Sequence, residues 1–232
     1  MHGMREIIKR IPVVGPAITR IHRNLFFKQK PFPGSEGYWI QRYATGGNSG
    51  EGSYNRLAEF KAEIINGFVK DNRVTSIIEY GCGDGNQLKL AEYPSYVGFD
   101  ISPKAIEICS DFFRNDKTKS FKMMSEYMGE KAQLTLSMDV IYHLIEDDIY
   151  NSHMERLFSS SERFVIIYSS DYDDEHIYHE KRRKFTRWVD AFALNWKLKS
   201  HIPNRFPFNG RDQTGSLSDF YIYEASRDLV NK

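Results

Sequence analysis

Long apolar runs are missing from this chain. No stretch of about 18 apolar residues occurs, so no membrane-spanning helix is expected. Cysteine is scarce. Cys82 and Cys109 are too few for a disulfide framework and lack metal-ligand spacing. A reducing cytosol is the simpler compartment for such a chain. The first residues do not read as a signal peptide, because Pro12, Gly15 and Pro16 interrupt them and charges recur. Internal repeats and low-complexity segments are absent, so nothing points to a repeat architecture. Net charge is also nearly absent, with 32 basic against 31 acidic residues. Aromatic residues, in contrast, are plentiful: 16 Phe, 14 Tyr and 3 Trp. A chain of 232 residues with this composition can bury a sizeable core as one α/β domain.

The small net charge hides an uneven distribution. Residues 1–30 carry seven basic residues and one acidic, a net of +6; the other 25 basic and 30 acidic residues give −5. Ile7, Ile8, Val13, Ile18 and Phe26 are interleaved with the basic residues. Residues 1–33 therefore read as a basic, apolar arm and linker ahead of a domain over 34–232. Such an arm suits peripheral contact with an anionic membrane, at the cytoplasmic face, or packing on its own domain or a second subunit. Nucleic acid is not expected as a partner, since the body is slightly acidic and shows no basic patch with interleaved aromatics.

The most informative segment is Ile77-Ile78-Glu79-Tyr80-Gly81-Cys82-Gly83-Asp84-Gly85. An apolar β-run delivers the chain into alternating glycines. A second β-run, Tyr96-Val97-Gly98-Phe99, ends on Asp100, 19 residues after Gly81. Glycines let backbone approach a ligand closely, and a strand-tip carboxylate can accept hydrogen bonds from ribose hydroxyls. A dinucleotide fingerprint would need glycine at position 86, where Asn86 stands. Glu79-x-Gly81-x-Gly83-x-Gly85 instead resembles the first motif of class I methyltransferases that use S-adenosylmethionine. The resemblance implies that Glu79 and the loop backbone of Gly81, Gly83 and Gly85 handle the methionine end. It puts Asp100 on the ribose, with Ile101 beside it and Ser137 also in the cofactor site. After strand three many such enzymes place an acid near the adenine. This chain has Met123-Met124-Ser125-Glu126 there, which leaves Met124 and Ser125 as the adenine contacts.

The remaining pattern supports the same architecture. Ser53 is expected to cap a helix whose buried stripe is Leu57, Phe60, Ile64 and Phe68. Strands are predicted over 75–80, 96–100, 120–124, 133–141 and 163–169, with helices over 87–93, 102–113, 147–158 and 184–194. Ser102-Pro103 marks one helix start. Two consecutive strands, 196–202 and 220–223, end the pattern. Alternating strands and helices predict a largely parallel, Rossmann-like seven-stranded sheet, and the last pair an antiparallel edge.

A second constellation is Asp139-Val140-Ile141-Tyr142-His143-Leu144-Ile145-Glu146-Asp147, where strand four should end. It resembles the fourth methyltransferase motif. Methyl transfer is an in-line displacement, and an alcohol acceptor must also lose a proton. His143, at a predicted strand tip, can take it near neutral pH; a capping or core histidine is the alternative. Asp139 would orient His143, contact the cofactor's amino group or cap the next helix. Tyr142 is a participant or a pocket wall. Glu146, Asp147 and Asp148 could join His143 around a divalent cation, but acids in a first helical turn are common for dipole reasons alone, and that is the favoured reading. His176 and His179 line an acceptor site, a lid or a solvated loop. The glycines of 46–52 are expected to close over bound cofactor, bringing Ser49 and Tyr54 toward the site.

The likeness extends from Tyr38-Trp39 and Gly46-Gly47-Asn48-Ser49-Gly50 through Ile166-Ile167-Tyr168-Ser169-Ser170 to His201-Ile202-Pro203-Asn204-Arg205. Over about residues 38–224 the chain is similar to a bacterial subgroup associated with polysaccharide genes. That implies an O-methyltransferase acting on a sugar or glycan hydroxyl, and some related enzymes need a divalent metal. Methylation of a small-molecule amine or carboxylate, or a non-catalytic cofactor-binding subunit of a polysaccharide assembly complex, are the alternatives.

Overall fold

The computed structural model describes residues 31–210 and 215–226. The basic arm expected over residues 1–30 lies outside them, and with it the expectation of membrane contact or self-association. The described residues from Pro33 onward form one unit.

Its elements in chain order are α1 (Ser35–Ala44), α2 (Asn55–Asp71), β1 (Ile77–Tyr80), β2 (Tyr96–Asp100), α3 (Pro103–Phe112), β3 (Lys119–Met123), β4 (Ala132–Met138), α4 (Asp147–Ser159), β5 (Ser161–Ser169), α5 (Thr186–Phe192), β6 (Trp196–Ile202) and β7 (Asp219–Ala225). The seven strands form one sheet in the order β3-β2-β1-β4-β5-β7-β6. β1 to β5 pair in parallel, and β7 runs antiparallel to both β5 and β6. This is the mostly parallel sheet with antiparallel pairing at one side that the pattern predicted. Strand order reverses between β1 and β4, so a crevice opens beyond their carboxyl ends, where ligands bind in such sheets.

β5 shows why the central strands read as continuous apolar runs. Phe164, Ile166 and Tyr168 face one core cluster, with Phe60 and Ile65 of α2; Val165 and Ile167 face the other, with Met154 and Leu157 of α4. A strand covered on both faces has no polar side to alternate with. Ser102 caps α3 as expected, its Oγ accepting from the Ala105 amide at 3.3 Å.

Three local expectations need correction. Ser53 does not cap α2: the helix starts at Asn55 behind Tyr54, and Ser53 belongs to a 3-10 turn, Glu51–Ser53. The helix expected over 87–93 is one 3-10 turn, Gln87–Leu90, ended at Ala91, which is extended. Strand four stops at Met138 rather than continuing to Ile141. Asp139 takes φ 56°, a left-handed conformation that breaks the strand and lifts Ile141–His143 into a 3-10 turn above the crevice. Among the described residues, no helix is long and apolar enough to cross a membrane.

Candidate active site

A cavity of about 320 Å³ fills the crevice at the reversal point. That lies within the range of small-molecule sites, about 300–1,000 Å³. Of the residues singled out in the sequence, Glu79, Gly81, Gly83, Asp100, Ile101 and Met124 line it, and so do Asp139 and His143. Gly85, Ser125, Ser137 and Tyr142 are not among its lining residues. Gly85 lies against Cys109 and Phe113. Ser125 is exposed. Ser137 is buried and bonded through Oγ to His153 Nε2 at 2.9 Å, and it is His153 that reaches the wall. Tyr142 lines a second cavity, of about 350 Å³, which also shares Asp139.

The glycine loop after β1 is built for close approach. Gly83 has φ +59°, and a Cβ there would stand 2.3 Å from Ser49 Oγ. Asp100 supports the loop from below. Its Oδ2 accepts from the Gly83 amide at 3.0 Å and its Oδ1 from the Ser102 amide at 2.9 Å. Burial pushes the Asp100 carboxyl above the usual range, and these amides only partly offset it. Each carboxylate oxygen keeps a further lone pair, so the group can still accept from ribose hydroxyls. The cradle that side chains would obstruct and the acid at its rim fit an adenosine-bearing cofactor with a methionine tail.

Glu79 is buried and accepts from Tyr96 OH at 2.6 Å. Burial pushes its carboxyl up to about 7, against the pull of Tyr96 and nearby Lys61. Near pH 6 it is mostly protonated; near pH 8 it is mostly ionised. If it pairs with the cofactor's ammonium group, affinity for S-adenosylhomocysteine should rise about tenfold from pH 6 to pH 8. Calorimetric titration across that range, with Glu79→Gln expected to flatten the profile, checks this.

The loop from Gly46 to Gly52 is docked on the cofactor loop through one carboxylate. Asp84 Oδ2 accepts from the Ser49 amide at 3.0 Å and from Tyr54 OH at 2.8 Å, while Ser49 Oγ accepts from the Asp84 amide at 3.0 Å. Burial would raise the Asp84 carboxyl, but the Ser49 and Asn86 amides with Tyr54 leave it below the usual range. Ser49 reaches the cavity, while Tyr54 is spent on Asp84. Asp84→Ala should release this loop. Hydrogen exchange over residues 46–53 should then reflect an opening free energy roughly 1.5–3 kcal/mol smaller, the scale of charged hydrogen bonds; unchanged exchange would show that the glycines alone hold the loop.

Asp139 does not orient His143 by hydrogen bond, nor does it cap α4, whose N-cap is Glu146. Its carboxylate accepts from Lys61 Nζ at 2.9 Å, Ser218 Oγ at 3.0 Å and Tyr142 OH at 3.1 Å. Gly52 packs so closely on it that a Cβ would lie 2.7 Å from Oδ2. Lys61 is the functional side chain that sequence reading missed. It is a fully buried cation in the cavity wall, on the face of α2 that otherwise carries Leu57 and Ile65. A polar residue at an apolar helix position was the available signal.

His143 is half-buried above the crevice. Its Nδ1 donates to the His179 carbonyl at 2.9 Å, which leaves Nε2 as the acceptor nitrogen. The ring stacks on His179 at 5.3 Å and meets the edge of Trp39 at 4.9 Å. Burial pushes its pKa down to about 4, so it is neutral at physiological pH. α1 covers this side. Ser35 Oγ donates to Glu146 at 2.5 Å and accepts from the Ile145 amide at 2.8 Å. Two of the acids considered with His143 are engaged elsewhere, while Asp148 lines the cavity. Glu146 holds Ser35, and Asp147 accepts from Lys181 at 2.7 Å and Arg183 at 2.6 Å. His176 is exposed, with Nε2 donating to the Tyr178 carbonyl.

Residues 53–204 match the family model described as a methyltransferase domain. No curated protein matches the chain. Among solved structures, the N-methyltransferase NodS from Bradyrhizobium japonicum, in complex with S-adenosylhomocysteine, is similar with a TM-score of 0.61 and 12% identity over 82% of this chain and 98% of that one. Magnesium protoporphyrin IX methyltransferase from Synechocystis, also with S-adenosylhomocysteine bound, has a TM-score of 0.58 and 13% identity over 91% of this chain and 100% of that one. The methyltransferase domain of bacterial CtHen1 has a TM-score of 0.56 and 17% identity over 72% of this chain and 97% of that one. At these identities the likeness concerns the fold. The family match spans more than half of the chain, and it agrees with the glycine loop, the strand-tip acid and the sheet order. The chain belongs to the methyltransferase-domain family and is an S-adenosylmethionine-dependent methyltransferase.

Proposed function

We propose that the methyl acceptor is a hydroxyl group carried by a sugar or glycan. The observation that carries this reading is the state of His143, whose Nδ1 is committed to the His179 carbonyl while Nε2 is left to accept. A neutral hydroxyl needs such a proton acceptor as it attacks, whereas a carboxylate does not. The second cavity supports the same class of acceptor. It adjoins the first at Asp139 and is lined by Glu51, Glu180, Arg182, Ser216 and Ser218, a polar wall suited to a ligand rich in hydroxyls.

When bound, S-adenosylmethionine supplies an electrophilic methyl on a sulfonium sulfur. An acceptor hydroxyl attacking that methyl would pass its proton to His143 Nε2. Lys61 and Tyr142 hold the Asp139 carboxylate at the boundary of the two cavities. Trp39 and Tyr43 of α1 line the cofactor side of the first cavity. A panel of sugars, amines and carboxylates, assayed for S-adenosylhomocysteine release and for the mass gain of one methylene on the acceptor, tests the reading. Turnover confined to amines or carboxylates would overturn it.

A further inference from the structure

His143 has neighbours that general-base chemistry does not require. One donor atom each from His143, His179 and Glu180 lie within 4.8 Å of one another. The three come from the turn after β4 and from the segment between β5 and α5. A second, independent observation concerns His179: its Nδ1 is buried and has no hydrogen-bond partner among the described residues. A ring nitrogen closed off from water and unpaired is costly unless something else takes its lone pair.

We propose that His143, His179 and Glu180 form a binding site for one divalent first-row transition-metal ion. The donor set favours that class. Two imidazole nitrogens and one carboxylate oxygen suit ions such as Mn²⁺, Co²⁺ or Zn²⁺, whereas Mg²⁺ and Ca²⁺ prefer oxygen throughout. The surroundings resemble those of built metal sites. The His143 Nδ1–H is fixed on a backbone carbonyl, which sets the tautomer and presents Nε2 as ligand. Glu180 is held from outside by Arg182, whose NH2 donates to Oε2 at 2.5 Å. Tyr38 stacks on His179 at 4.5 Å and fixes that ring plane.

The position gives the ion a use. His143 lines the cofactor cavity and Glu180 lines the second one, so the ion stands at their boundary. Three protein ligands leave coordination positions open, and an acceptor oxygen placed on one of them would be oriented and acidified by the ion. In the loaded protein His143 serves as a ligand; in the ion-free protein the same nitrogen is the proton acceptor. The site stands apart from the identity of the acceptor, because binding of the ion is read without turnover.

The test uses the full chain after chelator treatment and gel filtration, titrated with Co²⁺ and followed by visible absorption, and with Zn²⁺ by calorimetry. One ion per chain should bind, and the Co²⁺ complex should develop ligand-field bands. His179→Ala and Glu180→Gln should each weaken binding by about 100-fold, at least the 10–100-fold that loss of an outer-sphere partner costs. His176→Ala, at the exposed histidine three residues away, should leave binding unchanged. Binding of S-adenosylhomocysteine by each variant verifies that it is folded. The proposal is overturned if the wild-type chain binds no ion saturably, or if His176→Ala weakens binding as much as His179→Ala. Such failure, with cofactor binding and glycan methylation intact, would leave the proposed acceptor class standing.

Discussion

In the ion-free protein, replacing His143 by alanine should lower turnover by about 10²–10⁴-fold, the range of a lost general base, while affinity for S-adenosylhomocysteine changes little. The separation follows from placement. His143 lies in the turn beyond β4, whereas the glycine loop follows β1 and Asp100 ends β2. Its ring is held between Trp39 and His179 with Nε2 unspent. Burial places its pKa at about 4, so the base form is already populated at neutral pH. On taking the acceptor's proton the ring would gain one positive charge. Turnover should therefore show no acid limb from His143 between pH 6 and 8, and should fall only as pH approaches about 4. Steady-state rates at saturating acceptor, with calorimetry on the same variant, decide the matter. Near-normal turnover in His143→Ala would remove the residue from the chemistry.

Asp100→Ala should weaken S-adenosylhomocysteine binding by about 1.5–3 kcal/mol, the scale of charged hydrogen bonds, or roughly 10- to 150-fold. Two effects combine here. The remaining lone pairs of the carboxylate are lost to the ribose, and the Gly83 and Ser102 amides lose their acceptors. Asp100→Asn helps to separate them, since an amide retains one acceptor oxygen but cannot serve both backbone donors and the ribose. Its affinity should fall between those of the wild type and the alanine variant. Equal affinity in wild type and Asp100→Ala, measured by titration calorimetry, would take Asp100 out of the cofactor site.

Much of the sheet was legible because its signals are local. Strands covered on both faces produce apolar runs such as Phe164 to Tyr168, and Ser102-Pro103 announces a helix start within two residues. Errors arose where local signals were ambiguous. Ser53 precedes an apolar stripe as a cap would, but the close packing of Gly52 on Asp139 and the 3-10 turn carry it out of the capping position. The apolar run through Val140 and Ile141 reads as strand; the left-handed turn at Asp139 ends it, and Lys61, Tyr142 and Ser218 hold the side chain of Asp139 on the far side of that turn.

The site divides in the same way. By itself the sequence determined the glycine loop, the strand-tip acid and hence the class of cofactor, since backbone permissiveness and continuous apolar runs are properties of short segments. Only the tertiary structure decided which side chains share the crevice. Lys61 meets Asp139 across 78 positions, His143 meets His179 across 36, and Ser49 meets Asp84 across 35. These encounters depend on which strand tips the sheet order makes neighbours and on where α1 settles over them. A burial pattern along one segment cannot specify its partner. Lys61 therefore reads as an ordinary helical lysine until the fold closes around it, and His179 as a loop residue until it stacks on His143.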